Sequence, residues 1–195
     1  MVGSAACPFS AKSNAGGGHP FGKHTGRFPK RNSLVVRVFS NTTPFIALAS
    51  IDQLQLLPQL FGHICVAQSV IEECAEGGRI LVPHLQSLSW VIPIADESTS
   101  NLPVLFDLDR GEKQTLLLAS KHPDSTVIID ERIGRNVAEY MGLKVTGTLG
   151  VLAKAKTSGL IPSFYAAAQG MREQGIHYSD GLIDRLAQHL GEINL

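Results

Sequence analysis

The fold is indicated first by residues 34–49, which read LVVRVFSNTTPFIALA. Residues 34–39 form an apolar run rich in β-branched side chains, which is typical of a buried strand. Thr43 followed by Pro44 predicts a helix start, with Thr43 at the N-cap and proline at the first helical position. A short polar turn therefore joins a buried strand to a helix, and this unit is characteristic of α/β domains.

The same alternation continues to the end of the chain. Further strands are predicted at residues 64–66, 90–94, 126–129 and 143–146. Helices are predicted at residues 68–76, 112–120, 132–141, 149–157, 163–173 and 179–190. Short buried strands alternating with helices favour a mainly parallel sheet, and Pro93 places its strand at a sheet edge.

Composition divides the chain into a basic extension and an acidic body. The 195 residues are 44% apolar and carry 17 basic and 17 acidic side chains, which excludes disordered, collagen-like and coiled-coil classes. The first 51 residues contain six basic side chains and no acidic one. Residues 1–33, with six glycines and no apolar periodicity, are predicted to be a disordered extension. We expect residues 34–195 to form one domain.

Cysteine content and hydropathy suggest where the protein resides. Three cysteines without a C-x-x-C motif indicate a reduced, cytoplasmic protein with neither a disulfide framework nor a zinc site. No apolar run approaches the ~18–20 residues that cross a bilayer. We therefore expect no contact with a membrane.

Candidate site residues follow two of the strands and lie on two of the helices. Ligands bind at the carboxyl ends of strands in parallel sheets, where Asn41 and Asp130 are expected. Helical periodicity turns Glu73 toward the apolar face of its helix and places Glu112 one turn before the inward-facing Leu116. These four residues are predicted to converge.

Each candidate also has a structural interpretation. Asn41 can form a simple turn, and Glu73 can be a solvated helix residue. Asp109 and Glu112 match a D-x-x-E capping box. Asp130 can be a helix N-cap, with Glu131 and Arg135 forming an ordinary (i, i+4) ion pair.

Other catalytic motifs are missing from the sequence. Residues 142–148 lack the lysine of a phosphate-binding loop, and there is no G-x-S-x-G or H-E-x-x-H. A flavodoxin-like small-ligand domain is therefore the least favoured interpretation.

Five segments resemble a known family in their sequence and in their order. They are SNTTPFIALA (40–49), VIEEC (70–74), LDRGEKQT (108–115), IIDERIGR (128–135) and GLKVTGTLGVL (142–152). Together they resemble PIN domains, in particular the PIN-like branch similar to VapC-type toxin ribonucleases. The resemblance implies a three-layer α/β/α fold with a mainly parallel sheet of about five short strands.

The resemblance also implies a function. It is that of a Mg²⁺- or Mn²⁺-dependent endoribonuclease with an RNA substrate, a small antitoxin partner and a homodimeric state. The implied catalytic and metal-binding residues are Asn41, Glu73, Glu112 and Asp130. The residues expected to contact nucleic acid are Thr43, Arg132 and Arg135.

Two positions depart from the family pattern. Asn41 stands where the first metal-binding Asp is usual, so the site has three formal charges rather than four. Gln114 stands where a further carboxylate is common. Both departures favour an alternative, in which the chain is a catalytically weak module that binds RNA or a protein partner. Metal-dependent RNA cleavage would distinguish the two functions.

Overall fold

Five short parallel strands form a single sheet. The computed structural model describes residues 36–98, 102–122 and 124–193, so the predicted extension at residues 1–33 lies outside the described residues. The strands are β1 (Val38–Ser40), β2 (Ile64–Ala67), β3 (Val91–Ile94), β4 (Thr126–Ile128) and β5 (Lys144–Thr146). Their order is β3-β2-β1-β4-β5 with every pair parallel. The predicted edge position of the Pro93 strand is confirmed.

Helices flank the sheet and complete the predicted three-layer α/β/α fold. They are α1 (Thr42–Ala49), α2 (Leu56–Phe61), α3 (Gln68–Glu76), α4 (Arg110–Ser120), α5 (Arg132–Tyr140), α6 (Thr148–Thr157), α7 (Phe164–Glu173) and α8 (Asp180–His189). Short 3₁₀ turns occur at Leu85–Ser87 and Pro103–Leu105. Helix α2 was not predicted. Helix α1 begins at Thr42 with Asn41 at its N-cap, so the prediction of Thr43 as N-cap was wrong.

The strand order creates a crevice at one end of the sheet. The chain leaves β1 toward β2 and β3 on one side and later returns to add β4 and β5 on the other. Parallel sheets bind ligands where the strand order reverses in this way. Phe39 of β1 pairs with Cys65 of β2 and Val127 of β4, all three buried. This core fixes the backbone from which Asn41 and Asp130 project.

The hydrophobic core extends through both helical layers. Its largest fully buried side chains include Phe39, Phe45 and Phe164. Cys65 and Cys74 are buried free cysteines. In the part of the chain that the structure describes, no helix combines the length and apolarity needed to span a membrane.

Candidate active site

Asn41 lies at the carboxyl end of β1, at the crevice. Its side chain is 3% exposed and makes no capping bond to α1. Nδ2 donates a hydrogen bond of 2.9 Å to Oε2 of Glu131, and this fixes the amide orientation because only the NH₂ group can donate to a carboxylate. Oδ1 is buried and has no hydrogen-bond partner among the described residues. Asn41 therefore presents an unpaired carbonyl oxygen inside the crevice.

The first turn of α1 holds two carboxylates in place. The Thr42 hydroxyl donates to Oε2 of Glu73, and the Thr43 hydroxyl donates to Oε1 of Glu131. Thr43 was predicted to contact nucleic acid; in this structure its hydroxyl orients an acidic side chain.

Glu73 lies on α3 and faces the crevice, as its helical position predicted. The backbone N–H of Gly111 donates to its Oε1 at 2.9 Å. A side chain at position 111 would place its Cβ 2.5 Å from Oε2 of Glu73, so this close approach requires glycine. Burial raises the pKa of Glu73, and the hydrogen bond from Thr42 opposes that rise. Glu72 and Glu76 are exposed on the outer side of the helix, as predicted.

Glu112 combines a structural role with a place in the crevice. It completes the predicted capping box of α4, in which the Asp109 carboxylate accepts the Glu112 N–H at 2.7 Å. Its side chain is 6% exposed, and Oε1 has no hydrogen-bond partner in the described part of the chain. Burial, assisted by the nearby Asp109 and Glu131 carboxylates, raises the pKa of Glu112 to about 7. The capping interpretation is thus correct but incomplete.

Asp130 is turned toward the N-terminus of α6. Oδ1 accepts the Thr148 N–H at 2.8 Å, and Oδ2 accepts the Thr148 hydroxyl at 2.6 Å and the Tyr178 hydroxyl at 3.2 Å. Burial raises the pKa of Asp130, and the two bonds from Thr148 oppose the rise. Asp130 therefore caps α6, whereas the N-cap of α5 is Glu131. Both oxygens of Asp130 are therefore bound to α6 and Tyr178.

Glu131 is the site residue that sequence reasoning missed. It accepts hydrogen bonds from Asn41 and Thr43 and lies close enough to Glu112 to raise that residue's pKa. The expected ion pair with Arg135 does not form, and the Arg135 Nη1 donates to the Ile129 carbonyl at 3.1 Å. Two consecutive acids after a buried strand were the available signal, since one of them had to face the crevice.

We call Asn41, Glu73, Glu112 and Glu131 the acidic cluster. In the ranges that the structure describes, no three acidic, histidine or cysteine side chains converge closely enough to hold a metal ion. The chemistry of the cluster nevertheless fits a hard cation, which prefers carboxylate and carbonyl oxygens. The two unpaired oxygens, Oδ1 of Asn41 and Oε1 of Glu112, are donors of this kind.

Two further residues that the sequence singled out, Arg132 and Gln114, are not members of this cluster. Arg132 is exposed on the first turn of α5. Gln114 is buried and makes two hydrogen bonds with the backbone of Glu97, of 2.8 and 3.0 Å. Gln114 therefore anchors the loop at Glu97. This role accounts for an amide at a position where the family pattern commonly has a carboxylate.

Comparison with protein families gives a match that extends over most of the domain. A family described as a PIN domain matches residues 37–192. The chain belongs to the PIN-domain family. PIN domains are generally nucleases that act on nucleic acids with divalent metal ions. Comparison of this PIN domain with curated proteins and with solved structures gave no match.

Proposed function

We propose that this PIN domain is a metal-dependent endoribonuclease of the VapC toxin type, with the acidic cluster as its active centre. The supporting observation is the pair of buried, unpaired oxygens on Asn41 and Glu112. An unsatisfied buried acceptor costs about 1–3 kcal/mol. A site that leaves two of them beside further carboxylates is suited to a cation rather than to folding alone.

In this proposal Asn41 and Glu112 would hold Mg²⁺ or Mn²⁺, and Glu73 and Glu131 would supply further negative charge. A bound ion of this kind polarises a phosphodiester, lowers the pKa of a bound water and stabilises the leaving oxyanion. Asp130, predicted as the fourth ligand, borders the cluster and holds the start of α6 in place. We assign Asp130 a positioning role. We assign Glu131, in its place, as the carboxylate after β4 that faces the crevice.

The side chains of the cluster are pre-oriented by their partners. Asn41 and Thr43 hold Glu131 from two directions, and Thr42 with the Gly111 N–H holds Glu73. Such fixed polar groups avoid reorganisation when charge develops in a transition state. In this proposal Arg132, which is exposed next to Glu131, contacts the RNA phosphates outside the cluster.

The test is cleavage of RNA by the purified full chain. We expect cleavage with Mg²⁺ or Mn²⁺, loss of cleavage in a chelator, and recovery when the metal is restored. Asp130→Asn is expected to reduce cleavage through the position of α6. Unchanged cleavage in that variant would remove Asp130 from the site altogether.

A second function, RNA or partner binding with little catalysis, is favoured by one observation. The described acids do not converge as three groups around one point, and the first family acid is replaced by Asn41. RNA binding without metal-dependent cleavage would support this function over the first.

We further propose a cytoplasmic location, a small antitoxin partner and a homodimer. The toxin-type resemblance supports the antitoxin, and a small reading frame next to the gene would be its simplest evidence. The exposed apolar side chains of Ile133 and Tyr140 on α5 are suited to pairing between two copies. Light scattering of the wild type and Tyr140→Ser measures that state, and a monomer in both would contradict the homodimer.

A further inference from the structure

A cavity lies beside Asp130, which precedes Glu131 of the acidic cluster in the chain. It has a volume of about 370 Å³, and its walls include Leu149, Leu182 and Leu186 together with the polar Asp130, Arg135 and Tyr178. We call it the side cavity. Cavities with mostly apolar walls and a few fixed polar groups are typical binding sites for small ring systems. Neither Arg135 nor Tyr178 has a catalytic task in the function proposed above.

The polar rim of the side cavity is tightly arranged. Arg135 uses Nη1 to donate to the Ile129 carbonyl, and within the described contacts its other guanidinium donors are not engaged. A side chain at Gly147 would place its Cβ 2.7 Å from Oδ1 of Asp130 and 3.1 Å from Nη1 of Arg135. Glycine at position 147 therefore leaves room for the Asp130 carboxylate and the Arg135 guanidinium beside it at the rim.

The side cavity is next to the proposed reaction centre. Asp130 and Tyr178 also line a neighbouring cavity of about 380 Å³, whose walls include Thr43 and Glu131. The Asp130–Tyr178 hydrogen bond is thus shared by the walls of both cavities. A phosphodiester at the acidic cluster would have its adjoining nucleotide at this shared wall.

We infer that the side cavity binds the nucleobase next to the phosphate that is cut, with a preference for guanine. The inference rests on the function proposed above, because it assumes an RNA strand at the acidic cluster. Leucine side chains cover the faces of a base, while hydrogen bonds select its edge. The arginine fork matches the adjacent O6 and N7 acceptors of guanine, whereas adenine offers a donor beside N7.

Binding of nucleosides to the full chain tests the side cavity without catalysis. Saturation-transfer NMR would compare guanosine, adenosine, cytidine and uridine in the presence of a chelator. We expect guanosine to bind at least about fivefold more tightly than the others. Leu182→Trp, which fills the cavity from its rim, should weaken guanosine binding about tenfold or more. Leu160→Trp is the matched control, because Leu182 and Leu160 are 38% and 39% exposed and Leu160 does not line the cavity.

Cleavage of RNAs that differ at a single base provides the second measurement. In the wild type a guanine beside the cut should accelerate cleavage, and both Leu182→Trp and Arg135→Lys should reduce that preference. Cleavage with unchanged base preference in both variants would overturn the side cavity while leaving the nuclease in place. Guanosine binding that Leu182→Trp abolishes, without any RNA cleavage, would support the cavity and contradict the proposed function. Equal binding of all four nucleosides would overturn the inferred guanine preference. Binding of none of them would overturn the inference as a whole and favour a protein side chain as occupant.

Discussion

Replacing Asn41 with Asp tests whether position 41 faces the metal. The substitution keeps the side-chain volume but replaces the Nδ2 donor, 2.9 Å from Glu131, with a second carboxylate oxygen. At 3% exposure the new charge has little access to water. Without metal, Asn41→Asp should therefore lose a hydrogen bond and gain a repulsive contact at the same place.

The structure sets the size of the effect. Losing a hydrogen bond to a charged group costs about 1.5–3 kcal/mol, and repulsion adds to this until the two carboxyls share a proton. We expect the free energy of unfolding in chelator near pH 8 to fall by about 2–4 kcal/mol. At about 2–4 °C per kcal/mol for a protein of this size, Tm should fall by roughly 5–15 °C.

Added Mn²⁺ should stabilise Asn41→Asp by more than it stabilises the wild type. The extra negative charge strengthens cation binding, and a ligand at 100 times its Kd stabilises by about 2.7 kcal/mol. Tm in chelator and across a Mn²⁺ titration is the assay, with calorimetry giving Kd. Asn136→Asp is the matched control, because Asn136 is exposed on α5. If Asn41→Asp matches Asn136→Asp in chelator and shows the wild-type Mn²⁺ shift, position 41 does not face the metal.

Three further predictions concern the charges and contacts around the site. In the metal-free wild type, the pKa of Glu112 is raised to about 7, so between about pH 4.5 and 7 the native state binds more protons than the unfolded state. The free energy of unfolding therefore falls as pH rises through that window. Glu112→Gln retains the capping box and should be about 2–4 kcal/mol more stable near pH 8, with no gain below pH 4.5. Parallel stability–pH curves would contradict this. The Glu192 pKa is lowered to about 2, because hydrogen bonds from the start of α7 outweigh the effect of burial. The ionised Glu192 therefore stabilises the fold fully above about pH 4.5, and this stabilisation is lost as pH falls toward 2. Glu192→Gln should lower the free energy of unfolding by about 2 kcal/mol at neutral pH. Denaturant unfolding at about pH 7 and near pH 2 would show whether the difference from the wild type disappears in acid. Gly111→Ala should displace Glu73 and weaken Mn²⁺ binding. Gly78→Ala is the control, because nothing lies within 4 Å of its added Cβ. Equal Kd values for Mn²⁺ in the two variants would contradict a role for the close approach of Gly111 to Glu73.

Most of the secondary structure was predictable because its signals are local. Helix α3 was predicted with its observed bounds, since apolar periodicity begins after a buried strand and Gly77 ends it at a φ of +78°. Helix α2 lacks such signals. Its six residues contain a proline, its N-cap Gln55 makes no capping bond, and burial of Leu56 and Leu57 accounts for it. Tertiary packing of that kind cannot be seen in a short sequence window.

The site was predictable in its location but not in the orientation of its acids. Asn41, Glu73 and Glu112 face the crevice because strand ends and helix faces place them there. Whether Asp130 or Glu131 joins them depends on the N–H and hydroxyl of Thr148, which lie 18 residues further along the chain. A contact of this range is determined by how α6 packs, and no local pattern encodes it.

The most direct test of the nuclease proposal is the initial rate of RNA cleavage by the wild type, Glu112→Gln and Glu76→Gln, each purified identically. Glu76→Gln makes the same chemical change on the exposed side of α3, outside the acidic cluster. We predict cleavage by the wild type and Glu76→Gln with Mn²⁺. In chelator all three should be inactive, and Glu112→Gln should remain folded yet lose at least about 100-fold of the rate with metal. Cleavage that persists in chelator, or that is equal in Glu112→Gln and Glu76→Gln, would contradict a metal-dependent active centre at the acidic cluster.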